Sequence, residues 1–182
     1  MNTKRLFIGT FLDTEIMREH YQLIIEDFKP VSHGKWSEFE NLHFTYKFLG
    51  DVSEEEIPKI ENSFVNYFRN YDSVLTAQGL GVFPNIHNPR ILFVNILNDD
   101  GVIMKIHKEL SKVLLTLGFQ PEVNQFTPHV TLQRIKSVNK FEFKKILEVY
   151  KSTLFGSMQK FSIHLIESKL TPDGPIYTIL SE

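Results

Sequence analysis

Two stretches of this chain set a histidine two residues before a threonine. "LHFTYKFLG" holds His43 and Thr45, and "FTPHVTLQRIK" holds His129 and Thr131. Both stretches read as strands, in which alternate side chains share a face. On that alternation His43, Thr45 and Lys47 share one face, opposite Phe44, Tyr46 and Phe48. In the second stretch His129, Thr131 and Gln133 oppose Val130, Leu132 and Arg134. A lone His-x-Thr is most simply an ordinary strand pair, since β-branched threonine suits strands. Two copies change that reading. Near neutral pH one imidazole can carry a proton while another accepts one. Set on opposite sides of a phosphorus centre, they would activate water and protonate the leaving oxygen. The threonine hydroxyls would hold the equatorial phosphate oxygens. Arg134 or Lys47 would add positive charge, a guanidinium fork matching two phosphate oxygens.

Rival chemistries find less support. Zinc needs more ligands than His43 and His129, no cysteine exists, and no carboxylate stands at helical ligand spacing to either. Neither a G-x-S-x-G nucleophile elbow nor a phosphate-cradling P-loop occurs. We therefore expect no metal and no cofactor. His20 and His107 read as helical, His33 and His87 as loop residues and His164 as part of a late strand. None has a threonine two residues on.

The elements that must position these side chains read as two similar passages. RLFIGTFL (5–12) is a strand, followed by a helix with Ile16, His20, Leu23, Ile24 and Phe28 on one face. Asp13 or Thr14 caps it and Pro30 stops it. After the His43 strand, Ser53 and Glu56 stand at capping-box spacing before Ile57, Ile60, Phe64 and Phe68, with three glutamates in the first turn. SVLTAQGLGVF (73–83) and RILFVNIL (90–97) are strands around the turn-rich PNIHNP. A helix with Ile103, Ile106, Leu110, Val113, Leu114 and Leu117 on its stripe ends at Gly118. The His129 strand follows, then a helix near 140–150 carrying Phe143, Ile146, Leu147 and Tyr150. KFSIHLIESKL and PIYTIL close the chain as strands around the turn TPDGP. Arg5 precedes His43 by 38 residues and Arg90 precedes His129 by 39. The spacing predicts an internal duplication over approximately 1–85 and 86–182, with a pseudo-two-fold axis bringing the two His-x-Thr strands to one cleft.

Composition sets the outer limits. A chain of 182 residues suits one well-packed domain. Its 42% hydrophobic and 23% charged residues are ordinary for a globular protein. No apolar run is long enough to span a bilayer, and the N-terminus reads as a first strand rather than a signal peptide. The absence of cysteine fits a cytoplasmic protein. A net charge of −2 argues against coating nucleic acid through bulk electrostatics but leaves room for a local anion site.

With those residues in view, "NLHFTYKFLGDV" and "FTPHVTLQRIK" resemble the paired His-x-Thr motifs of the 2H phosphoesterases. They are most similar to the RNA 2′,3′-cyclic phosphodiesterases, also called 2′-5′ RNA ligases. The likeness extends to "RLFIGTFL", "NPRILFV" and "IESKLTPDGPIYTIL". It implies a bilobal α+β fold whose central cleft is lined by both motif strands. It also implies metal-free opening of 2′,3′-cyclic phosphates at RNA or nucleotide ends to leave a 2′-phosphate, by a monomer with no membrane association. His43 would be the acid and His129 the base, though near-symmetric groups can exchange these roles. Thr45 and Thr131 would bind the phosphate. Arg134 matches the family's arginine, but strict alternation puts it on the wrong face unless the strand ends or bulges after Leu132. Other expectations stay open: a non-catalytic nucleotide- or RNA-end-binding module, or action on another cyclic or 2′-5′ linkage, with ligation the minor reverse reaction.

Overall fold

In the computed structural model, which describes residues 2–121, 125–172 and 174–181, strands and short helices alternate. β1 (Thr3–Phe11) carries five successive buried residues, Leu6 to Thr10. A strand so continuously apolar belongs in the middle of a sheet, covered on both faces. A short 3-10 turn (Thr14–Ile16) leads into α1 (Arg18–Phe28). Asp13 Oδ1 accepts the Glu15 N–H at 3.0 Å, so it caps the turn rather than the helix proper. Tyr21, Ile24 and Phe28 form the buried stripe of α1, whereas Leu23 faces solvent.

β2 (Ser32–Trp36) then runs through a stretch the sequence pattern assigned to a loop, because SHGKW is short, polar and interrupted by glycine. β3 (His43–Ser53) carries the first motif and extends to Ser53. The capping box expected from Ser53 and Glu56 does not form. Glu56 N–H bonds the Ser53 carbonyl in a turn, and α2 (Ile57–Phe64) begins after the glutamates. β4 (Asn70–Phe83) and β5 (Ile91–Leu97) form a hairpin. α3 (Val102–Thr116) ends as expected at Gly118, whose φ of 89° lets the Phe119 N–H return to the Leu114 carbonyl at 3.0 Å. β6 (His129–Val138) holds the second motif, and α4 (Lys140–Val149) starts under an Asn139 cap.

The apolar alternation of KFSIHLIESKL conceals a break. The chain forms β7 (Leu154–Ser162) and β8 (His164–Leu170), which part at Ile163 and join different sheets. β9 (Pro175–Ile179) pairs with β8. In the turn between them Thr171 and Gly174 exchange backbone hydrogen bonds, and Asp173 lies outside the described residues.

The sheets have the orders β3-β1-β8-β9 and β2-β6-β5-β4-β7, with antiparallel pairing throughout. Without β2 the orders correspond strand for strand: β3 with β6, β1 with β5, β8 with β4 and β9 with β7. Each sheet therefore takes strands from both passages of the sequence. The last long strand of the first passage, β4, lies beside β5, and β8 from the second lies beside β1. This α+β architecture has two antiparallel lobes, and β3 and β6 approach each other where they meet.

Candidate active site

Each motif histidine is held by a main-chain carbonyl two residues upstream. His43 Nδ1 lies 2.7 Å from the Asn41 oxygen and His129 Nδ1 lies 2.6 Å from the Thr127 oxygen. A carbonyl only accepts, so each Nδ1 carries hydrogen and donates it. The second ring nitrogen, Nε2, is left as a lone pair in the neutral ring and as an N–H donor in the charged one.

Both rings line one cleft of 1180 Å³, together with Thr45, Thr131 and Arg134. The threonine hydroxyls and the Arg134 guanidinium have no hydrogen-bond or ion-pair partner among the described residues. Aromatic rings back each imidazole. Phe7, Phe11 and Tyr177 surround His43 at centroid distances of 4.9, 5.9 and 4.9 Å. Phe83 and Phe93 flank His129 at 4.9 and 5.1 Å. Gly81 makes room for Phe93, since a Cβ there would meet its ring at 2.5 Å.

This apolar packing lowers the affinity of both rings for protons. Burial depresses the His43 pKa below the ordinary imidazole value, and the positive charges of Arg134 and His129 depress it further against the opposing Asn41 hydrogen bond. Burial also depresses His129, again opposed by its carbonyl partner. In the free protein both imidazoles are thus biased toward neutrality. A bound anionic phosphate would reverse part of that bias.

Arg134 reaches the cleft through a β-bulge. Opposite β5, Thr131 pairs with Phe93 and Gln133 pairs with Leu92, leaving Leu132 without a partner. Leu132 and Gln133 are both buried, so the alternation slips by one and Arg134 emerges on the face of His129. Gln133, expected beside Thr131, instead turns inward, where its Oε1 accepts the Ser32 hydroxyl at 2.8 Å. β3 contains the same irregularity at the equivalent residue. Thr45 pairs with Gly9 and Lys47 with Ile8, leaving Tyr46 over. Lys47 consequently points away from the cleft and donates to the Gln120 carbonyl at 3.1 Å. Phe48, expected on the core face, enters the cleft with 60% of its surface exposed. Phe48 and Arg134 therefore occupy equivalent places, five residues after His43 and His129. Strict alternation hid Phe48; the repeated spacing of the two motifs was the signal that would have found it. Arg5, Lys35 and Tyr177, also missed, line the same cleft.

The model of the LigT-like phosphoesterases matches twice, at residues 15–93 and 97–177. This chain belongs to that family. An RNA 2′,3′-cyclic phosphodiesterase of Aquifex aeolicus is 34% identical, covering 100% of this chain and 97% of the relative. One from Methanocaldococcus jannaschii is 35% identical, covering 98% and 99% respectively. Among solved structures, a Thermus thermophilus protein superposes with a TM-score of 0.77 at 26% identity, covering 97% of this chain and 95% of that one. Escherichia coli LigT complexed with 3′-AMP also gives 0.77, at 21% identity with 99% and 97% covered, and shares the LigT fold. Among the described residues, no helix of this LigT-like phosphoesterase is long and apolar enough to cross a membrane.

Proposed function

We propose that this LigT-like phosphoesterase is an RNA 2′,3′-cyclic phosphodiesterase. It hydrolyses cyclic phosphate ends of RNA or nucleotides to 2′-phosphates, with two histidines as acid and base and no metal. The observation that carries the proposal is the matched anchoring of His43 and His129 in one cleft, each with Nδ1 on a carbonyl and Nε2 left for a ligand. The relatives named RNA 2′,3′-cyclic phosphodiesterase align over nearly their whole length.

In the proposed reaction His129 Nε2 takes a proton from water, whose oxygen bonds to phosphorus. The bond from phosphorus to O3′ breaks, and His43 Nε2–H protonates that oxygen. A 2′-phosphate remains. Thr45 and Thr131 donate to the non-bridging oxygens, and Arg134 balances the charge that gathers on them. The exposed ring of Phe48 offers the base a stacking face on the lobe opposite Arg134. The acid and base assignment follows the family resemblance, and the matched anchoring of the two rings in one cleft supports the pair.

The test is hydrolysis of a nucleoside 2′,3′-cyclic phosphate, with the product read by phosphorus NMR. His43→Ala and His129→Ala are each expected to lower turnover by about 100-fold or more. The wild-type rate should survive EDTA. Full activity in either variant would sink the mechanism.

A further inference from the structure

The cleft offers more room and more charge than one reacting phosphate requires. Its 1180 Å³ exceeds the roughly 300–1,000 Å³ of pockets that enclose a drug-sized ligand. The chain carries a net charge of −2, yet Arg5, Lys35 and Arg134 line this space against Glu38 as its only carboxylate among the described residues. Low-dielectric walls focus such charge onto an anion.

Polar side chains form a second row that begins beside His43 at Tyr177 and runs away from it. Leu6 of β1 pairs with Glu167 of β8, and Ser168 of β8 pairs with Tyr177 of β9. Arg5, Ser168 and Tyr177 therefore follow one another across three adjacent strands, and all three line the cleft. The side-chain donors of Arg5, Ser168 and Tyr177 have no hydrogen-bond partner among the described residues. The nearby acids do not neutralise Arg5. Glu167 holds Lys4 at 2.9 Å, and Asp51, opposite Arg5 in the register, lines a separate hollow with Lys59. Tyr177 responds to both guanidinium groups. Burial raises its pKa, and Arg134 and Arg5 each oppose that rise.

The row leads away from the reaction centre, from Tyr177, which packs on His43 at 4.9 Å, to Arg5 at its far end. Gly9 pairs with Thr45, and Arg5 is four residues along β1, about 13 Å between Cα atoms at strand spacing. With the long Arg5 side chain reaching back along the strand, that distance leaves room for one nucleotide between the reacting phosphate and the guanidinium. Phe7, on the cleft face between them, packs on Phe48 at 5.9 Å, so the row lies on the side assigned to the nucleoside. A 2′,3′-cyclic phosphate uses both secondary oxygens of its ribose, and an RNA chain then continues only through the 5′ oxygen. Beside Arg134 the exit is narrower: Lys35, its neighbour in register, reaches Gly174 on the opposite lobe.

We propose that Arg5, Ser168 and Tyr177 form a second anion subsite for the phosphodiester on the 5′ side of the reacting nucleotide. The protein then acts on oligoribonucleotide ends in preference to free cyclic mononucleotides. This inference rests on the cyclic-phosphodiesterase reading of the same cleft.

The experiment compares wild type, Arg5→Gln and Ser168→Ala on adenosine 2′,3′-cyclic phosphate and on a five-nucleotide RNA ending in the same cyclic phosphate. Arg5→Gln is expected to lower kcat/KM for the oligomer about tenfold, the worth of one charge-assisted hydrogen bond. The mononucleoside, which lacks the 5′ phosphate, should be hydrolysed at the wild-type kcat/KM. Ser168→Ala should show the same selectivity at smaller size. The dependence of oligomer kcat/KM on salt should flatten by about 0.7 in logarithmic slope in Arg5→Gln, as expected for one lost phosphate contact on a single strand. Equal losses on both substrates, or no loss on either, would overturn the subsite. Binding of the corresponding 2′-phosphorylated oligomer and of adenosine 2′-phosphate, read by calorimetry, gives an answer independent of turnover. Absence of hydrolysis by wild type would count against the phosphodiesterase reading, whereas unaltered oligomer binding in Arg5→Gln would count against the subsite.

Discussion

At the residue scale, the site depends on the rings of His43 and His129 being held alike but surrounded differently. Each donates Nδ1–H to a carbonyl, and each is pushed toward neutrality by burial. Only His43 is depressed further by Arg134. The proposed acid–base catalysis needs one ring charged and one neutral, so kcat/KM should follow a bell in pH. Because both free-protein pKa values lie below the ordinary imidazole value, both limbs should fall on the acid side of about 6.5. A bound phosphate stabilises the charged ring, so the alkaline limb of kcat should lie at higher pH than that of kcat/KM. Removing the cation in Arg134→Gln removes a cause of depression, so the His43 pKa must rise. One limb of the kcat/KM profile should move to higher pH, alongside a general loss of rate. An alkaline limb that moves identifies His43 as the ring with the higher pKa, and an acid limb identifies it as the ring with the lower. Stationary limbs would refute the electrostatic contact between Arg134 and His43.

At the element scale, single unpaired residues decide what the cleft contains. The spacing of His43 to Thr45 and of His129 to Thr131 was legible because strand alternation holds over two residues. Positions of Lys47, Phe48, Gln133 and Arg134 were not, because the bulges at Tyr46 and Leu132 arise from pairing with β1 and β5. The helical stripe of α3 was readable from its period and that of α1 only in part, Leu23 facing solvent and Tyr21 taking a buried place. β2 was not readable, its five residues being recruited by β6 rather than by their own propensity. That recruitment is tight. Gly34 of β2 stands so close to β6 that an added Cβ would meet the Arg134 carbonyl at 2.1 Å. The obstructing atom is backbone, so Gly34→Ala must displace one strand from the other. The expected cost is about 1–3 kcal/mol, as for overpacking, measurable as a lower urea midpoint. Activity should fall as well, because the displaced residue is Arg134. An unchanged midpoint with unchanged kcat/KM would show that β2 does not fix the cleft.

At the scale of the whole molecule, neither lobe is built from one stretch of sequence. β8, from the later part of the chain, separates β1 from β9 in the four-stranded sheet, and β4, from the earlier part, separates β5 from β7 in the other. This exchange was not legible, because sheet membership depends on contacts between residues far apart in sequence. Its physical consequence is cooperative. Opening one sheet withdraws a central strand whose chain neighbours belong to the other, exposing apolar surface and unpaired main-chain groups in both. The protein should therefore unfold in urea as one unit. Fluorescence of Trp36, the single tryptophan, reports on the five-stranded sheet through β2. Hydrogen exchange of the β1 and β8 amides reports on the four-stranded one. Both probes and far-UV circular dichroism should give the same midpoint and slope. A fragment of residues 1–85 should lack stable structure by the same spectroscopy, since β1 would lose β8 and β4 would lose both of its neighbours. Separate midpoints for the two sheets, or a folded fragment, would mean that the lobes are independent and the cleft between them is free to change width.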